Sequence, residues 1–168
     1  QGMAFWLLFG NIFVNSSLMI KREVMKILGG YHPYLLAEDL DLSVRIADKY
    51  QVANIDHELV KYRIHESNVS KRAEEMKYYV KKVVANIHAS LQIPFSERLV
   101  NIHYSLLTYN LGNQTSLDFL DLFSTLKKAN AIQRKYPFDK LNPYLIQLWY
   151  DILFHKKDRN IARLFFNP

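Results

Sequence analysis

Apolar positions follow two different rhythms along this chain. Between Glu38 and Lys49, Leu40, Val44 and Ala47 return at i, i+4 and i+7 with Leu42 and Ile46 beside them, which predicts a helix. Between Gly10 and Ile20, Ile12, Val14 and Ser16 alternate with Asn11, Phe13 and Asn15 ahead of Leu18-Met19-Ile20, which predicts a strand. Lys21-Arg22-Glu23 then leads into a short helix with Val24, Ile27 and Leu28 on one face. Gly29-Gly30 closes it, as a left-handed cap requires. Tyr31-His32-Pro33-Tyr34 reads as a loop, and Val52-Ala53-Asn54-Ile55 as a short strand. From Glu58 to His65 the alternation returns, with Val60, Tyr62 and Ile64 on one face and Lys61, Arg63 and His65 on the other. Glu66 to Ser70 is a polar loop.

After Ser70 the rhythm is helical. Ser70 is a fair N-cap for a long helix whose face carries Met76, Tyr79, Val80, Val83, Val84, Ile87 and Leu91. Ser96 caps a second, with Leu99, Ile102, His103, Leu106 and Leu107 inward. Gly112 to Thr115 is a turn, and Leu117, Leu120, Phe123 and Leu126 form the stripe of a third helix that ends before Pro137. Pro143 opens a fourth, with Leu145, Leu148, Trp149, Ile152 and Leu153. The expected class is α+β, mainly helical: short mixed strands and helices over 1–70, then a helical bundle over 71–168.

Composition narrows the chemistry. The chain has 168 residues, of which 49% are hydrophobic, enough for a packed core. There is no cysteine, which excludes disulfides and thiolate catalysis and suits a reducing compartment. Neither G-x-G-x-x-G nor G-x-x-x-x-G-K-[ST] occurs, so the sequence carries no signature of a nucleotide phosphate loop. The net charge of +6 is uneven: residues 1–70 carry −1 and residues 71–168 carry +7. The start lacks a basic region and a small-residue cleavage site, so no signal peptide is expected. It opens inside an apolar run, Met3 to Phe9, too short to span a bilayer, and a fragment of a longer protein is expected. Trp6 reads as core.

The candidate chemistry sits where the Gly- and Pro-marked stretch meets the helix at Glu38. Glu38 and Asp39 fall in or just before its first turn, where free amide protons and the helix dipole favour a carboxylate. An ionised carboxylate aimed by backbone suits a general base. A helix cap is the commoner role for such a residue, and this stretch alone does not separate the two.

Five pieces in order carry a resemblance: Asn15-Ser16-Ser17-Leu18-Met19-Ile20-Lys21-Arg22-Glu23-Val24, Gly29-Gly30-Tyr31, Ala37-Glu38-Asp39-Leu40-Asp41-Leu42, Tyr62-Arg63-Ile64-His65 and Asn68-Val69-Ser70. Over about residues 10 to 70 their order and spacing resemble the C-terminal half of a family 2 glycosyltransferase with the GT-A fold, the nucleotide-binding half being absent. The resemblance implies an inverting enzyme, of bacterial surface or capsular polysaccharide synthesis, that moves a sugar from a nucleotide sugar to an acceptor hydroxyl. It implies Asp39 as base with Glu38 as an orienting or acceptor-binding partner, and Asn15, Arg63 and Tyr31 as substrate contacts. His65 stands where such enzymes place a metal or diphosphate ligand. A divalent metal, Mn2+ or Mg2+, is expected in the complete enzyme and none in this fragment, which is expected to be inactive by itself. The implied partners are a UDP-sugar and a glycan or lipid-linked acceptor, with a cytoplasmic location and peripheral contact at the membrane face.

Asp39-Leu40-Asp41 is an Asp-x-Asp, but residues at i and i+2 on a helix point roughly 200° apart and do not chelate one ion. Asp41 reads instead as a capping or structural carboxylate. Tyr78-Tyr79 with Lys77, Lys81 and Lys82 makes a basic aromatic helix face, better explained by solvation than by nucleic acid. The rival reading is a non-catalytic helical interaction module that binds a partner, a membrane surface or nucleic acid.

Overall fold

A computed structural model describes residues 2–61, 63, 65, 72–108 and 114–134 of the chain. Within them lie α1 (Gly2–Trp6), α2 (Arg22–Ile27), α3 (Glu38–Lys49), α4 (Ala73–Ser90), α5 (Glu97–Leu107) and α6 (Ser116–Gln133). One turn of 3-10 helix, Asn15–Ser17, separates α1 from α2.

The described residues form no strand and no sheet, which corrects the α+β expectation and with it the GT-A fragment: the fold is helical. The three alternating segments show why. Val14 and Leu18 are extended, at φ −94°, ψ 122° and φ −74°, ψ 132°, as their sequence dictates. Extended backbone becomes a strand only when a neighbour accepts its ladder of hydrogen bonds. Here local side chains take the backbone groups instead: Asn11 Oδ1 accepts from the Phe13 amide at 3.2 Å, and Ser17 Oγ donates to the Val14 carbonyl at 2.8 Å. Such bonds compete with a ladder. Residues 51–61 have no regular structure, and Ile55, Leu59 and Val60 are exposed. Lys61, Arg63 and His65 are described and exposed; Tyr62, Ile64 and the loop 66–70 lie outside the described residues.

Helix boundaries follow local chemistry. The α2 terminus is a Schellman turn: Gly30 N–H reaches the Met25 carbonyl at 2.9 Å and Gly29 N–H the Lys26 carbonyl at 3.2 Å. Both glycines are left-handed, φ +73° and +70°, which a side chain at either position would strain. Ser96 Oγ accepts from the Leu99 amide at 3.3 Å and caps α5. Thr115 and Asp118 form a reciprocal capping box at α6. The expected Ser70 cap lies outside the described residues, and α4 begins after Arg72. The fourth helix expected from Pro143 also lies outside them.

Phe5, Leu8 and Phe9 of α1 and the turn after it meet Leu40 of α3, Val84 and Ile87 of α4, Ile102 and Leu106 of α5, and Leu122 and Leu126 of α6 in one core. Trp6 packs against its edge. Phe9 stacks on Phe123 with ring centroids 5.3 Å apart. Described residues on both sides of position 70 contribute to this core. The α6 stripe is rotated from the expected one: Leu117 and Leu120 are 74% and 50% exposed, while Phe119, Leu122, Phe123 and Leu126 are buried. Leucine and phenylalanine occur all round this helix, so periodicity alone does not choose the face; packing against α5 does.

The core also holds two histidines. His88 of α4 and His103 of α5 are buried with rings stacked, His88 Nε2 lying 2.9 Å from His103 Nδ1. His103 Nε2 contacts the Leu8 carbonyl, which only accepts, so Nε2 carries the proton and Nδ1 is an acceptor. His88 Nε2–H therefore donates to it, and His88 Nδ1 is left as a buried lone pair with no partner. Burial holds His88 down from 6.5 to about 4. Burial first, then the neighbouring His88, hold His103 down to about 3. Both rings are neutral near pH 7.

Candidate functional site at the start of helix α3

The chain enters α3 through Ala37, a buried residue at φ 59°, ψ 19°. A left-handed alanine costs roughly 1–2 kcal/mol and persists only where packing demands it. Here Leu36 and Ala37 must both reach the interior beside Leu40 and Leu42. Ala37 occupies the N-cap position and has no side chain to cap with. Glu38 and Asp39 follow as the first two helical residues, both half-buried. Asp39 Oδ1 accepts from the Leu40 amide at 2.8 Å, so the carboxylate is held by backbone without occupying the cap position.

Asp39 lines an open pocket of about 550 Å³ together with Phe13, Val14, Asn15 and Ser16. The sequence separates Asp39 and Asn15 by 24 residues, and the fold brings them to one wall of space. Tyr31 joins this group through its hydroxyl, which donates to Asn15 Oδ1 at 3.0 Å. Asp39, Asn15 and Tyr31 thus form one cluster, with Glu38 next to Asp39 in the helix. Arg63 and His65 are not among the residues lining the pocket.

A second carboxylate braces the site. Asp41 is only 3% exposed, and its Oδ2 is met by Arg45 Nε at 2.8 Å and His32 Nδ1 at 3.0 Å. The same Arg45 guanidinium donates to the Leu28 carbonyl at 2.9 Å and the Gly30 carbonyl at 2.8 Å. One planar cation therefore ties α3 to the end of α2 and to the turn that presents Tyr31. Tyr34, three residues on, accepts from Asn86 Nδ2 of α4 at 3.0 Å. The loop is held at its start by Arg45 and at its far end by α4. Arg45 and His32 were not singled out by sequence; the signal available was the Asp41–Arg45 spacing of four, which faces the two side chains together on a helix.

Asp39 and Asp41 do not converge: one lines the pocket and the other is engaged by Arg45 and His32. No group of three or more His, Asp or Glu side chains with metal-holding geometry occurs among the described residues. His65 is exposed and belongs to no such group among the described residues. On α4, Lys82 sits over the Tyr34 and Tyr78 rings and Lys81 over Tyr104, at 5.4 to 5.6 Å, so the basic aromatic face is in part folded onto itself. No helix among the described residues is long and apolar enough to cross a membrane.

Compared with models of protein families, with curated proteins and with solved structures, the chain matches none.

Proposed function

We propose that this chain supplies the acceptor-activating part of an inverting glycosyltransferase, with Asp39 as general base. The observation that carries the reading is the shared pocket: a carboxylate held by the first turn of α3 faces the same space as Asn15. A hydroxyl seated there donates to Asp39 and accepts from the side-chain amide of Asn15. As its oxygen attacks the anomeric carbon of the donor, the proton passes to Asp39. The electron pair of the breaking C–O bond leaves with the nucleoside diphosphate, and the anomeric configuration inverts. Glu38 sits beside the base and biases it electrostatically.

The sequence carries no phosphate-loop motif for the donor. The UDP-sugar is therefore held by another part of the protein or by a companion, together with any Mn2+ or Mg2+; no step here runs through a metal. Arg63 and His65 belong to that donor side in this reading. The acceptor is a glycan or lipid-linked hydroxyl, and the enzyme works in the cytoplasm, at the membrane face when the acceptor is lipid-linked. Absence of cysteine and the basic C-terminal part are in keeping with both.

The test expresses the full-length protein from its native gene. It follows nucleoside diphosphate release from UDP- and GDP-sugars with Mn2+ or Mg2+, for wild type and Asp39→Asn. Loss of about 10²–10⁴-fold in kcat, with donor KM little changed, supports the assignment. Equal activity of the two refutes it. A second reading, the helical interaction module, is favoured by the exposure of Met19, Leu59, Phe95 and Ile132 on a helical scaffold. It takes over if the wild type turns over no nucleotide sugar.

A further inference from the structure

Helix α6 is apolar on two sides. Phe119, Leu122, Phe123 and Leu126 are buried in the core, while Leu117 and Leu120 are exposed on the opposite side. A helix that is apolar all round is one that is covered all round. The outer side also has an order of its own. Leu117, Leu120, Ser124, Lys127 and Ala131 alternate spacings of three and four, and all five are exposed. That alternation is the seam along which a second helix packs. Lys127 fits such a seam because its stem is apolar and its charge reaches water past a neighbour.

The sequence supplies a helix of the same spacing and length. Between Pro143 and Phe154, Leu145, Leu148 and Ile152 repeat at three and four, with Trp149 and Leu153 beside them and Gln147 on the opposite side. A helix of these twelve residues is about 18 Å long, against about 17 Å for the seam from Leu117 to Lys128. The described part of the chain leaves α6 at Arg134, and residues 135–142 connect it to Pro143. Eight residues reach up to about 26 Å. Turning back to the level of Lys128 asks for about 9 Å along the axis and about 8–10 Å across it, well within that reach. A segment tethered this closely is present at millimolar effective concentration, which favours it over a second copy of the chain. Ser124, the small residue of the seam, leaves room for the Trp149 ring.

We infer that residues 143–154 form a helix that lies antiparallel on the outer face of α6, with Leu148 facing Ser124 and Ile152 facing Leu120. The face of α6 turned away from the core is thus an internal docking surface for the C-terminal segment.

The experiment is disulfide trapping in the full-length protein. Residues 1–168 contain no cysteine, so an introduced pair is unique in this stretch. Ser124→Cys is combined with Leu148→Cys or, as the control at the same level on the opposite side of the segment, with Gln147→Cys. Linked peptides are identified by mass spectrometry after mild oxidation. The Leu148→Cys pair is expected to link at least about tenfold faster than the control, because a disulfide needs Cα atoms within about 7 Å. Leu120→Cys with Ile152→Cys replaces the first pair if circular dichroism shows that variant to be misfolded. Equal rates for test and control pairs mean that the segment has no fixed face on α6 and overturn the inference. Linked peptides that join ¹⁴N and ¹⁵N chains in a mixed sample give the face to a second copy and overturn it as well. Linking by neither pair also overturns it; co-sedimentation with phosphatidylglycerol vesicles that Leu120→Glu abolishes then gives the face to a membrane.

Discussion

Lowering the pH from 7.5 to 5.0 is expected to destabilise this fold through His88 and His103. In the unfolded chain each titrates near 6.5; in the fold burial holds them at about 4 and about 3. Between those values the unfolded state binds protons that the folded state refuses. Stability therefore falls as pH drops below 6.5 and levels off below the folded values. At pH 5.0 the unfolded histidines sit about 1.5 pH units below their pKa while the folded ones remain neutral. At 1.36 kcal/mol per unit, each contributes about 2 kcal/mol and the pair about 4. That is a large part of the 5–15 kcal/mol typical of a domain. The first proton goes to His88 Nδ1, whose lone pair is free, because protonating His103 breaks its bond from His88. Asp118, held low mainly by its bond from the Thr115 backbone, loses its contribution only below 3.8 and stays outside this window. The assay is urea unfolding followed by circular dichroism. With an m-value of about 2 kcal/mol/M, the midpoint falls by about 2 M between the two pH values. His88→Gln, whose amide can still donate to His103 Nδ1, is expected to lose about half of that shift. Equal midpoints at pH 7.5 and 5.0, or an imidazolium signature for either ring at pH 6 in ¹⁵N NMR, refute the argument.

Other substitutions test the frame of the site. Arg45→Met removes the guanidinium beside the buried Asp41, leaving its contact with the His32 ring, and is expected to cost about 3–5 kcal/mol in chemical denaturation. Arg45→Lys does not restore it, because one ammonium does not span Asp41 and the Leu28 and Gly30 carbonyls as the guanidinium fork does. Ala37→Val places a β-branched side chain at positive φ in a buried position and is expected to cost about 2–4 kcal/mol in unfolding free energy, with Asp39 displaced. Ala37→Gly stays within about 1 kcal/mol of wild type, since relief of strain is offset by the lost methyl and the freer unfolded chain. Thr115→Ala opens the α6 capping box and lowers stability by about 1 kcal/mol in the same assay.

Local order in this protein was legible from sequence where the deciding interaction spans a few residues. The bounds of α3, the stop at Gly29-Gly30 and the Ser96 cap all depend on groups within about five positions of one another, and each appears where the pattern places it. The apolar spacing of α5 places His103 inward, and it is fully buried. Asp39 stands out in the sequence because a helix start favours a carboxylate. Three things were decided only in the tertiary structure. The alternating segments at 10–20, 52–55 and 58–65 carry the strand rhythm, yet a strand exists only when another segment completes its hydrogen bonds, and none among the described residues does so. The inward side of α6 depended on α5, because apolar residues occur on several of its sides. The cluster of Asp39, Asn15 and Tyr31, braced by Arg45, joins side chains far apart along the chain, and the His88–His103 pair joins two helices. Such meetings follow from how helices pack, and packing is a property of the whole core that no local window of residues contains.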